Sequence, residues 1–194
     1  MDKRALILDG GLGDGEDTRG AGVIAEDILR RAGWRVTQLV LRETEIAPCL
    51  GCFGCWVETP GVCVVDDAGR DVARQMMQSD LLVCLTPMTF GGYSSELKKA
   101  VDRLIPNLLP LYRLAKGEVH HAKRYARYPR LIAIGLCSDG RADPDEEELF
   151  ETLVRRNAIN LHAPAHATCV ISGTDDDEVR QRRIERALEK GIGS

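Results

Sequence analysis

A chain of 194 residues with 44% hydrophobic residues can bury one sizeable core, so a single domain is expected. Its formal net charge of −4 with 29% charged residues is an ordinary acidic surface, which excludes the basic excess that holds nucleic-acid backbones or anionic membranes. No apolar run approaches the roughly 20 residues that span a bilayer, and Met1-Asp2-Lys3-Arg4 leads into a strand-like run without a signal-peptide pattern, so a cytoplasmic location is expected.

Ala5-Leu6-Ile7-Leu8 is a short continuous apolar run ending at Asp9-Gly10-Gly11, which predicts a strand buried on both faces that empties into a turn. From Gly20 to Gly33 the residues Val23, Ile24, Ile28 and Leu29 recur at helical spacing, and Gly33 suits the stop. Val36 to Leu41 is the second strand; Pro48 opens a cysteine loop, and Asp71 to Gln78 supplies a short helix. Leu81 to Thr86 is the third strand, Glu96 to Ile105 a helix, and Leu131 to Leu136 the fourth strand. A helix from Asp145 to Asn157, a strand from Thr168 to Ile171 and a charged helix from Glu178 to Glu189 complete the chain. Alternation of this kind predicts a doubly wound α/β fold of the flavodoxin-like type, a five-stranded parallel sheet of order 2-1-3-4-5 with helices on both faces. Its ligand crevice lies at the carboxyl ends of the strands, at the switch point between the first and third. The stretch 106–129 is expected to be an irregular connection, an insertion or an interface.

Four of the seven cysteines crowd into fifteen positions, which in a reduced compartment favours metal or redox chemistry over disulfides. Cys49, Cys52 and Cys55 stand at intervals of three, and Cys63 follows eight positions later, after Pro60 and Gly61. Two-residue gaps let consecutive sulfurs converge on one centre, which suits a 4Fe-4S cluster; a tetrahedral zinc is satisfied by the same four ligands. The fourth cysteine departs from the ferredoxin run, where it follows after three residues and precedes proline. Reduced thiols in a tight loop anchored by Phe53 and Trp56 are the bland alternative. Cys84 and Cys169 fall within strands as small core residues.

The run from Ala47 to Trp56, continuing through Thr59-Pro60-Gly61-Val62-Cys63 to Asp66-Asp67, resembles the compact cysteine motif of the iron-sulfur flavoprotein branch of the flavodoxin-like NAD(P)H-dependent FMN reductases. Thr86 to Ser94, followed by Leu97-Lys98 and Asp102-Arg103, is similar to the family loop and helix that hold the flavin ring. The resemblance implies FMN as cofactor, NAD(P)H as co-substrate, a small-molecule or protein electron acceptor, and a homodimer or homotetramer. It places Gly10, Gly11 and Thr18 at the FMN phosphate, and Thr86, Pro87, Met88, Thr89, Phe90 and Gly91 at the ring. It assigns Cys49, Cys52, Cys55 and Cys63 to iron, and it names no catalytic side chain. A flat ring needs apolar or backbone surface on its face and amide donors at its polar edge, and Pro87, Met88, Phe90 and Gly91-Gly92 can supply both.

The first loop departs from the family pattern. Gly10 and Thr18 match, but Gly11 stands for a serine, Gly13 for an arginine and Asp17 for an asparagine, and Asp14 and Glu16 add negative charge. A carboxylate a few ångströms from a phosphate costs on the order of 1 kcal/mol even in a watery setting. The function that the resemblance implies is an FMN-dependent oxidoreductase carrying electrons from NAD(P)H. Its rival is a flavodoxin-like domain without flavin, acting as a thiol- or metal-based redox sensor or binding module. His120-His121 with Lys123, Arg124, Arg127 and Arg130 forms a basic stretch expected to be a solvated connector. His162 and His166 carry no metal-ligand pattern, and the acids from Asp143 to Glu148 suit a helix start.

Overall fold

Each predicted apolar run becomes a strand because its side chains find a helix on either side. The computed structural model describes residues 2–13, 16–137, 140 and 143–193. In chain order these form β1 (Arg4–Asp9), α1 (Glu16–Arg31), β2 (Arg35–Val40), the one-turn α2 (Gly54–Val57), α3 (Ala68–Met77) and β3 (Leu81–Pro87). There follow α4 (Ser95–Asp102), β4 (Leu108–Ala115), β5 (Glu118–Lys123), β6 (Arg130–Cys137), α5 (Pro144–Asn160), β7 (His166–Ser172) and α6 (Asp177–Ile192).

Five strands pair in parallel in the order β2-β1-β3-β6-β7, which is the expected 2-1-3-4-5 once the hairpin strands are left out of the count. Ala5 stands opposite Val36 on one side and Leu81 on the other, and Leu81 in turn opposite Arg130. Period-two geometry then splits the core. Leu6, Leu8, Leu82, Cys84, Leu131 and Ala133 meet Val72, Met76, Leu97, Phe150 and Val154 of α3, α4 and α5. On the opposite face Ile7, Val83, Leu85, Ile132 and Ile134 meet Ala25 and Leu29 of α1 and Ile184 and Leu188 of α6.

The helices start where side-chain acceptors stand. Asp67 accepts from Gly69 N before α3, Ser94 from Leu97 N before α4, Asp143 from Asp145 N before α5, and Asp176 from Val179 N before α6. Among the described residues no helix is long and apolar enough to cross a membrane.

The 106–129 connection, which the sequence predicts to be irregular, contains an ordered antiparallel hairpin of β4 and β5. Lys116 and Gly117 take φ of 51° and 80°, the paired left-handed turn that matches strand twist. The register slips between Leu108 and Tyr112, where Pro110 lacks an N–H for the ladder. Leu111, Tyr112 and Leu114 are all exposed, so no apolar alternation marks β4 as a strand.

Candidate functional site

The loops after β1 and β3 meet at the carboxyl ends of their strands, as the switch-point rule requires. Gly10 N–H donates to Leu85 O at 2.8 Å. A Cβ on Gly10 would stand 2.7 Å from Leu97 Cβ and 2.9 Å from Ser94 Oγ, so only glycine fits. Ser94 ties the two loops together: its Oγ donates to Gly10 O at 2.6 Å, and its N–H donates to Thr86 Oγ1 at 2.8 Å.

Thr18 lies at the start of α1 against the first turn. Its Oγ1 is buried without a hydrogen-bond partner among the described residues, and a Cβ on Gly11 would come within 2.3 Å of it. Glycine at position 11 thus leaves the hydroxyl room, and a buried hydroxyl without a partner is a costly feature that a ligand oxygen would satisfy. Asp9 is the countervailing residue. It is 1% exposed, its Oδ1 accepts from Gly11 N–H at 2.9 Å, and its Oδ2 is buried without a partner among the described residues. The chain's own carboxylate therefore occupies one amide of the turn expected to meet a phosphate. Arg42 Nη1 donates to Gly13 O at 2.7 Å, and its charge is shared with Glu43. Asp14 lies outside the described residues, as do the side chains of Glu16 and Asp17.

The β3 loop divides by burial. Thr86 is fully buried, its hydroxyl donating to Pro87 O at 2.9 Å while accepting from Ser94 N, so its polar capacity serves the loop itself. Pro87 and Met88 are half-buried, with Met88 N–H donating to Leu136 O at 2.8 Å. Thr89 and Gly92 exchange backbone hydrogen bonds around a tight turn in which Phe90 (φ 50°) and Gly91 (φ 71°) are both left-handed. Phe90 is 87% exposed at the tip. A bulky residue in this conformation costs about 1–2 kcal/mol, and such strain gathers at ligand clamps. The half-buried Pro87 and Met88 beside this aromatic tip offer apolar surface to a flat ring, with backbone amides alongside.

The four loop cysteines line one hollow of about 290 Å³ together with Phe53, Val65, Arg103 and Ile105. Gly61 N–H donates to Cys55 O at 2.9 Å, a turn that brings Cys63 back toward the other three. Cys49 and Cys52 are exposed, Cys63 is half-buried and Cys55 buried. Burial pushes the Cys55 thiol up, and the neighbouring Cys63, Cys49 and Cys52 push it further. Four thiolates so placed repel one another, and a soft cationic centre is what allows them to ionise together. As the side chains stand, no group of three His, Cys, Asp or Glu among the described residues is at metal-holding spacing, so such a centre would draw the thiols inward. The donor set suits an iron-sulfur cluster or tetrahedral zinc.

A buried ion pair closes this loop. Arg103 Nη1 and Nη2 grip Asp67 Oδ2 and Oδ1 at 2.8 and 2.7 Å, with side-chain exposures of 1% and 11%. The same guanidinium donates to Ala47 O at 2.8 Å and Val65 O at 3.2 Å, while Asp67 accepts from Ala47 N at 2.8 Å. Both ends of the loop are thus fastened at one point. The pairing lies 36 positions apart in sequence and was not among the expected site residues. Its signal was an arginine three positions after Ala100, on the apolar side of α4. Asp9 was missed as well, because an aspartate before two glycines marks a turn equally well.

The remaining candidates serve structure. Arg124 Nε donates to Pro106 O at 2.8 Å, Arg127 pairs with Asp80, and His162 Nε2 lies 2.8 Å from His121 O, its pKa lowered by burial. Cys84 is buried in the core, and burial pushes its thiol up to about 12; Cys169, expected in the core, is only partly buried against it, with its thiol likewise pushed up to about 12.

Comparison with known proteins bears on the family and the fold. A family model described as NADPH-dependent FMN reductase matches residues 4–126. An iron-sulfur flavoprotein of Methanocaldococcus jannaschii is 35% identical over 82 residues, 42% of each chain. One of Archaeoglobus fulgidus is 32% identical over 92 residues, 47% of this chain and 44% of the relative. The match thus spans less than half the length of these curated relatives. Among solved structures, an NAD(P)H:quinone oxidoreductase from Methanothermobacter marburgensis superposes with a TM-score of 0.66 at 16% identity, covering 100% of this chain and 98% of its own. An FMN-dependent NADH-azoreductase from Bacillus anthracis, in complex with FMN, gives 0.62 at 11% identity over 100% and 98%. At such identities the structural likeness speaks for the fold.

Proposed function

Because the chain belongs to the NADPH-dependent FMN reductase family, whose model it matches over residues 4–126, we propose that it is an FMN-dependent oxidoreductase. It takes reducing equivalents from NADH or NADPH and passes them to a small-molecule or protein acceptor. One observation in the site carries the reading: the Thr18 hydroxyl beside Gly11, without a partner among the described residues, with the Gly10 turn joined through Ser94 to the strained Phe90-Gly91 loop. The flavin supplies the hydride and electron chemistry. The chain's own residues bind and orient it: Gly10, Gly11 and Thr18 at the phosphate, and Pro87, Met88, Thr89, Phe90 and Gly91 along the ring, with Thr86 buttressing that loop.

In the same reading Cys49, Cys52, Cys55 and Cys63 hold a 4Fe-4S cluster. The names of the two archaeal relatives and the common hollow of the four thiols support this. The working form is a homodimer or homotetramer, supported by the exposed apolar residues Tyr112, Leu114 and Val119 on the hairpin and Phe53 beside the cysteines.

The test is anaerobic purification with iron and flavin supplied, followed by titration with FMN and assay of NAD(P)H oxidation. Saturable flavin uptake and acceptor-dependent oxidation are expected; absence of FMN uptake overturns the assignment. A second reading, a flavin-free thiol- or metal-based redox module, is favoured by the Asp9 carboxylate in the phosphate turn. A protein that takes up iron but no flavin in the same experiment would establish it.

A further inference from the structure

A guanidinium in the core of an α/β domain is an expensive way to fill space, since a well-packed apolar side chain is often as stabilising or more so. Arg103, the residue that ends α4, is 1% exposed and continues the helical spacing of the buried Leu97 and Ala100. Its Nε is buried with no hydrogen-bond acceptor among the described residues, and its side chain shares the wall of one hollow with Cys63. Arg103 lines the hollow of the four cysteines, whereas Asp67 does not stand in its wall. The pair therefore meets the cysteines with its positive end. Asp102 also lines the hollow, but its carboxylate is held by Lys98 Nζ at 2.6 and 2.7 Å. Arg70 donates to Cys63 O at 2.8 Å while its own charge is met by Asp66.

We propose that Arg103 is a positioning residue for the cysteine centre: it fastens both ends of the 47–67 loop to one carboxylate, and its fixed positive charge in the wall of the cysteine hollow favours the reduced, more negative state of the group the cysteines hold. The second half rests on the reading that these cysteines carry a cluster; the first half does not. Reduction adds one electron and one unit of negative charge, so a neighbouring cation raises the reduction potential and a neighbouring anion lowers it.

The test uses Arg103→Met, Arg103→Lys and Asp67→Asn in the full chain. Hydrogen exchange of the metal-free proteins reads the clasp, and spectroelectrochemical titration after anaerobic reconstitution with iron and sulfide reads the charge. Arg103→Met is expected to speed exchange over 47–67 roughly tenfold or more while peptides of β1 and β3 stay protected. Its potential shifts negative and that of Asp67→Asn positive, whereas Arg103→Lys exchanges faster but keeps a potential near the parent's. A clasp with no electrostatic role would shift Met and Asn variants in the same direction, and that result overturns the charge role. Unchanged exchange in Arg103→Met overturns the clasp; should that variant fail to fold, Arg103→Lys decides the same point, since its single ammonium cannot span all four acceptors. A parent protein that takes up no iron and sulfide defeats the cluster reading, and the exchange measurement still decides the clasp.

Discussion

Thr18 carries a buried hydroxyl with no partner among the described residues, a cost of about 1–3 kcal/mol that nothing among those residues offsets. Thr18→Val keeps the shape and removes the cost. The expected outcome is a melting temperature equal to or above the parent's, together with FMN affinity weakened about tenfold, or ~1.4 kcal/mol. Riboflavin, which lacks the phosphate, should bind the variant as it binds the parent. Asp9→Asn makes the opposite change: it keeps an oxygen for Gly11 N–H but removes the charge, so FMN should tighten about fivefold, or ~1 kcal/mol, with riboflavin unmoved. Fluorescence titration with both flavins reads all four numbers, and FMN binding the Asn variant more weakly would contradict the electrostatic account. At this scale Gly10, Gly11 and Thr18 came from the family resemblance, and the structure sets Gly11 against the Thr18 hydroxyl. The sequence hid Asp9, since whether a strand-end carboxylate faces solvent or is buried depends on neighbours such as Thr18 that only folding supplies.

The cysteine loop and the hairpin show the same limit in larger units. The cysteine spacing, with the Pro60-Gly61 turn, announced a loop able to gather four thiols, and the four do line one hollow. The Asp67–Arg103 clasp that closes it was not visible, because helix periodicity marks a buried face without saying which distant carboxylate waits there. Burial alone would raise the Asp67 pKa, but hydrogen bonds from Arg103 and from the amides of Ala47 and Gly69, with the Arg103 charge, hold it below 3.8. A carboxylate lowered in the folded state contributes stability that is complete above its unfolded pKa and is lost as pH falls through the folded one. Exchange protection of residues 47–67 should therefore be flat above about pH 4 and decline below it, a decline that Asp67→Asn abolishes. The hairpin escaped the sequence because β4 alternates nothing and its turn is Lys116-Gly117 in place of the commoner Asn-Gly. Lys116→Asn, better suited to φ of 51°, should slow amide exchange across β4 and β5 by an amount worth roughly 1 kcal/mol.

For the molecule as a whole, strand order followed from alternating elements and right-handed crossovers, which depend on chain connectivity more than on any one residue. What connectivity could not show is how the cysteine loop and the hairpin share one surface. Leu114 stands opposite Val119 and Tyr112 opposite His121 in the hairpin register, which puts these four on one face. The His121 ring lies 4.7 Å from both Tyr112 and Trp56, and Trp56 stacks on Phe53 at 5.2 Å. Trp56 is anchored by donating to Leu108 O at 2.9 Å, so the hairpin root and the cysteine loop are mechanically joined. Tyr112, Leu114, Val119 and Phe53 are exposed by 70%, 73%, 68% and 55%. In the proposed homo-oligomer this apolar face is where a second copy of the chain would sit. Leu114→Glu combined with Val119→Glu places two carboxylates opposite each other on that face and, by repetition, against the partner's. Sedimentation velocity should then show a monomer where the parent sediments as a dimer or tetramer, with the far-UV spectrum unchanged because neither side chain is buried in the core. A variant that still associates would move the interface away from the hairpin and leave this face to some other occupant.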